Sequence, residues 1–102
     1  MNQQFEDLHK RVQALQFRFR DVVDRPDASV ARTVASELQH LEDEVQEEKN
    51  PRSIEDRIKT IQQELLQAQH SGTEQIMDPR HSVALHDELE QLRSTARSLP
   101  HY

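Results

Sequence analysis

Between Phe5 and Val45 the apolar residues repeat with a regularity that few folds other than paired helices accommodate. They fall at Phe5, Leu8, Val12, Leu15, Phe19 and Val22, spaced 3, 4, 3, 4, 3, and again at Ala31, Val34, Leu38, Leu41 and Val45, spaced 3, 4, 3, 4. This is the a/d pattern of a heptad, which places one apolar seam along each helix and requires a partner for it. The nearest partner for each half is the other half. In an antiparallel pair Val22 faces Ala31, Phe19 faces Val34, Leu15 faces Leu38 and Val12 faces Leu41, and the facing positions sum to 53. The fold-back centre then lies between Pro26 and Asp27, on the only proline of the stretch. Proline cannot continue a helix and disfavours helical geometry at the residue before it, here Arg25.

The flanks suggest a second match. Arg11, Arg18 and Arg25 occupy the g edge of the first helix, and Glu37 and Glu44 the g edge of the second. In this register Arg18 is expected near Glu37 and Arg11 near Glu44, each exposed pair contributing from a few tenths to about 1 kcal/mol.

The remainder of the chain repeats the scheme. Asn50-Pro51 reads as an N-cap with proline at the first helical position, with Ser53 and Asp56 as a looser capping box. A seam follows at Ile54, Ile58, Ile61, Leu65 and Ala68, beside which Gln62, Gln63, Glu64, Gln67 and Gln69 are expected to face water. Gly72, the only glycine, suits a left-handed C-cap. Ile76-Met77 is expected to plug the end of the core, and Asp78-Pro79 is a second N-cap and proline pair. The last seam is Leu85, Leu89, Leu92, Ala96 and Leu99, closed by Pro100. Asn2 is the expected cap of the first helix and Asp27 or Ser29 that of the second. Helices are therefore expected over about 2–24, 28–49, 52–69 and 79–98. The predicted fold is all-α, a single domain over 1–102: an antiparallel up-down-up-down four-helix bundle built from two helical hairpins.

Composition agrees and narrows the function. Hydrophobic residues make up 33% of the 102 and charged residues 31%, a lean core under a charged surface. With no cysteine there is no disulfide, thiolate metal site or cysteine nucleophile. No apolar run approaches the roughly 20 residues that span a bilayer, and Met1-Asn2-Gln3-Gln4 lacks the basic and apolar regions of a signal peptide. A cytoplasmic location is the expectation, with no membrane partner. Net charge is −6, and residues 26–50 hold two basic against seven acidic side chains. Binding to nucleic-acid phosphates needs clustered Lys and Arg, so no nucleic-acid partner is expected.

Two patterns bear on chemistry. Glu6/His9 and Glu37/His40 each read Glu-x-x-His, the spacing used with two further glutamates, for which Glu55 and Glu88 are available, in di-iron four-helix bundles. The heptad assignment opposes that reading, because Leu8 and Leu38 hold the interior positions between them. No Gly-rich phosphate loop or nucleophile turn is present, and a narrow aliphatic seam leaves little room for a reaction cavity. Spectrin-like repeats share the length and the heptads, but they use three longer helices and a tryptophan, and this chain has no tryptophan. The expectation is a small soluble protein-binding or regulatory module without catalytic activity or cofactor, which binds a basic protein partner through an acidic helix face. The candidate contact residues are Glu42, Asp43, Glu47 and Glu48 on the acidic face of the second helix, with Phe17, which lies opposite the seam. The alternatives are a metal-binding bundle using Glu6, His9, Glu37 and His40, and a structural subunit of a homodimer or larger helical homo-oligomer.

Overall fold

The computed structural model describes residues 3–70 and 76–99. It contains four helices: α1 (Gln3–Val22), α2 (Ser29–Gln46), α3 (Pro51–His70) and α4 (Pro79–Arg97). Each packs against two neighbours, α1 on α2 and α4, and α3 on α2 and α4; among the described residues neither diagonal pair brings Cα atoms within 8 Å. The result is a four-cornered bundle measuring 43 × 20 × 19 Å. The helices run antiparallel to their neighbours, because partners on one helix descend as those on the other ascend. Arg11 meets Thr95 while Arg18 meets Glu88, and Glu37 meets Glu64 while Glu44 meets Arg57.

The seams are buried as their spacing predicts. Every a and d residue from Phe5 to Phe19, Ala31 to Val45, Ile54 to Ala68 and Leu85 to Leu99 is buried, and only Val22 at the turn is half-buried. Leu15, Phe19, Val34 and Leu38 meet around one small void, as expected if Phe19 faces Val34 and Leu15 faces Leu38, together with Ile61, Leu65, Leu85 and Leu89. Ser82 extends the α4 seam by one further step and is buried. Its hydroxyl hides it from an apolar count.

The ends follow local chemistry. The Asn50 side chain accepts from the Arg52 N–H at 2.9 Å and Asp78 accepts from the Arg80 N–H at 2.8 Å, each with proline at the first helical position. That backbone hydrogen bond holds the Asp78 carboxyl below its usual range. Helix α2 departs from expectation. Its N-cap is Ala28, whose side chain accepts nothing, so neither Asp27 nor Ser29 serves as cap. Ser29 already lies inside the helix, where its carbonyl accepts from the Thr33 hydroxyl. The expected caps at Asn2 and Gly72, and the tail after Leu99, lie outside the described residues. Ile76 and Met77 are buried, and the Ile76 carbonyl accepts the Asp24 N–H at 2.6 Å. The segment therefore closes the end of the core where the α1–α2 turn lies.

The expected charge pairing of α1 with α2 is corrected. Arg18 pairs with Glu88 of α4, Arg11 donates to Thr95 of α4, and Glu44 pairs with Arg57 of α3. A seam has two edges, e and g, and in a four-cornered bundle each faces a different neighbour. The g edges meet between α1 and α4 and between α2 and α3. The e edges meet between α1 and α2, where His9 and Gln13 approach Glu42, and between α3 and α4.

The α3–α4 edge accounts for a second correction. Gln62 does not face water but is buried at an e position. Its amide donates to Glu90 Oε2 at 2.9 Å and to the His86 carbonyl at 3.4 Å, and its oxygen accepts from Arg93 at 3.4 Å. The bond from Gln62 holds the Glu90 carboxyl below its usual range. Gln62→Ala should cost about 1–3 kcal/mol by leaving buried polar groups without partners. The same change at exposed Gln63 should stay within about 0.5 kcal/mol. Urea unfolding of the two variants measures the difference.

Candidate functional site

The predicted contact residues sit at the C-terminal end of α2, in three different surroundings. Glu42, at an e position, turns toward α1; its side chain is 16% exposed and its Oε1 lies 3.6 Å from His9 Nε2 and 3.2 Å from Gln13 Nε2. Asp43 points outward and accepts from Gln39 at 3.3 Å. Glu47 and Glu48 lie beyond the helix, which ends at Gln46, three residues earlier than the sequence suggests. They therefore belong to the α2–α3 turn, and the single acidic helix face is replaced by an acidic helix end.

The backbone explains the early stop. The Lys49 N–H donates to the Glu44 carbonyl at 2.9 Å and the Glu48 N–H to the Val45 carbonyl at 3.0 Å. This crossed pair is the Schellman closure, which needs a left-handed residue at the position of Glu48. Glu48 adopts φ 52°, and no other described non-glycine residue has positive φ. A side chain with a Cβ costs about 1–2 kcal/mol in that conformation. Carboxylates here also face the negative end of the helix dipole. Lys49 Nζ, 3.6 Å from Glu47 Oε2, offsets part of that charge. Lys49 also joins Glu44, Ser53, Asp56, Arg57 and Thr60 around a shallow depression beside the turn.

Phe17 is 67% exposed on the outer side of α1. In the hairpin register it lies level with Ser36, roughly 10 Å along the bundle from the level of Asp43. The structure therefore does not bring it together with the acidic end.

The Glu-x-x-His residues are likewise dispersed. Glu6 is exposed beside Lys10, His9 faces Glu42 on the α1–α2 edge, and Glu37 with the exposed His40 lies toward α3. Among the described residues no group of three or more His, Asp or Glu side chains could hold a metal ion. Nor is any helix among them long and apolar enough to cross a membrane. The chain matches no protein-family model, no curated protein and no solved structure.

One pairing is not among those named from sequence, although Glu37 itself is an alternative metal ligand there. Glu37 and Glu64 face each other on the g edges of α2 and α3, and the Oε2 of each is buried without a hydrogen-bond donor. Burial first, and the Glu37 carboxylate second, push the Glu64 carboxyl above its ordinary value. From the sequence Glu64 is expected to face water and Glu37 to pair with Arg18; their meeting follows only from the pairing of edges.

Proposed function

We propose that this bundle is a non-enzymatic module that binds a basic segment of another protein through the acidic end of α2, with Asp43, Glu47 and Glu48 as the contact groups. The observation that carries the reading is Glu48 in a left-handed conformation that glycine adopts without penalty. A strained glutamate beside further carboxylates at a helix C-terminus costs stability twice. Retaining charge there at such a cost supports a role in contact with a cationic partner. Asp43 and the turn residues Glu47 and Glu48 are exposed, as that role requires.

Two measurements test this. Glu48→Gly should raise stability by up to about 1 kcal/mol, read from the urea midpoint, by relieving the left-handed strain. In an amide chemical-shift titration with a lysine-rich peptide, the perturbed signals should cluster at residues 42–49 and the binding should weaken with salt. The triple reversal Asp43→Lys, Glu47→Lys and Glu48→Lys should abolish that response. Equal binding by the wild-type protein and the reversed variant would sink the proposal.

A further inference from the structure

The two hairpins, α1–α2 and α3–α4, are joined along two edges, α1 with α4 and α2 with α3. On the α2–α3 edge the charges are arranged unequally. Toward one end Glu44 meets Arg57, an opposite-charge pair; seven residues along each helix Glu37 meets Glu64, a like-charge pair. Ionised carboxylates accept hydrogen bonds and donate none, so two of them face to face leave each other's oxygens without partners. That is the condition of the two buried Oε2 atoms. A single proton changes it, because a carboxylic acid donates to a carboxylate in a short, charge-assisted bond.

We propose that Glu37 and Glu64 form a proton-operated latch between the two hairpins. With one proton shared, the carboxyls bond to each other and hold α2 against α3. With both ionised, they repel and loosen that edge while Arg57 and Glu44 retain the other end.

Cationic side chains border one member of the pair, Glu37. On α2, Arg32 and His40 border the same surface depression as Glu37, and Arg57 reaches it from α3 but is engaged by Glu44. The other neighbours meet the far edges. His9 of α1 approaches Glu42, and Glu90 and Arg93 of α4 meet Gln62. The direction of the pH effect follows from linkage. The Glu64 carboxyl is raised in the folded state above its ordinary 4.5, so the folded chain holds more protons than the unfolded chain between the two values. The stability contributed by the shared proton is complete below 4.5 and is lost as pH rises through the raised folded value.

The test follows the urea midpoint against pH for the wild-type protein and for Glu64→Gln, Glu37→Gln and His40→Gln. A side-chain amide donates to the remaining carboxylate at every pH, so either glutamine variant should flatten the wild-type fall that sets in as pH rises above 4.5. Imidazoles titrate in the same range, and His40→Gln should leave the fall intact. Flattening by His40→Gln instead, or parallel profiles for the wild-type protein and both glutamine variants, overturns the latch. The absence of cysteine permits a direct reading of the opening. Spin labels on cysteines introduced at exposed Ser36 and Gln67 should show a longer, broader distance distribution at high pH in the wild-type background and an unchanged one with Glu64→Gln. A distribution identical at both pH values in the wild-type background also overturns it.

Discussion

Phe19→Ala should lower the unfolding free energy by about 3–5 kcal/mol, while Phe17→Ala, two residues earlier on the same helix, should change it by less than about 0.5 kcal/mol. Phe19 is 4% exposed and lines one small core void with residues from all four helices. Its removal forfeits the transfer free energy of a phenyl ring and leaves a cavity that surrounding helices can only partly close. Phe17 makes no such contribution, being two-thirds exposed on the outside of α1. A domain of this length has a total stability of about 5–15 kcal/mol, so the first variant loses a large part of it. At roughly 4–8 °C per kcal/mol, its thermal midpoint should fall by more than about 10 °C. Calorimetry on the two variants side by side settles the point. A comparable loss in both would mean that the outer face of α1 is covered by something in solution.

Ile76→Ala should cost about 2–4 kcal/mol, a core-sized effect from a residue outside every helix. Ile76 is 2% exposed, Met77 is 4% exposed, and both belong to the single apolar cluster of the bundle. At that end the partly buried Val22, Val23, Ala28 and Val30 pack against the same cluster. The Ile76 carbonyl also receives the Asp24 N–H, so the segment bonds the α3–α4 connection to the end of α1. Losing the side chain uncovers the ends of the seams to water as well as leaving a void. An urea midpoint for Ile76→Ala within error of wild type would show that this end of the bundle is sealed without it.

How much of this was legible beforehand differs by element. The seams were, because a 3–4 spacing sets which residues share a helix face whatever the partner. The proline-marked starts at Pro51 and Pro79 were too, since ring geometry and a side-chain cap act within two residues. The end of α2 was not. Nothing in Glu47-Glu48-Lys49 resembles a glycine C-cap, yet Glu48 takes the glycine conformation, and a helix periodicity read through it runs three residues too far. That error is also why Glu47 and Glu48 read as part of a helix face rather than of a turn. Gln62 was misplaced for a different reason. Its amide is buried only because α4 presents Glu90, Arg93 and the His86 carbonyl to it, and no residue near it in the chain announces those partners.

By itself, then, the sequence determined four helices, the residues each one buries, and the register of the first hairpin. These rest on intrahelical periodicity and on burial worth about 1.5–3 kcal/mol per large side chain. Only the tertiary structure decided which edge of each helix meets which neighbour. The e and g edges flank the same seam, and exposed ion pairs contribute at most about 1 kcal/mol each, too little to choose between them. The choice falls to the packing of the whole core and its connections. It sets Arg18 against Glu88 rather than Glu37 and leaves Glu37 facing Glu64, a like-charge contact between the hairpins.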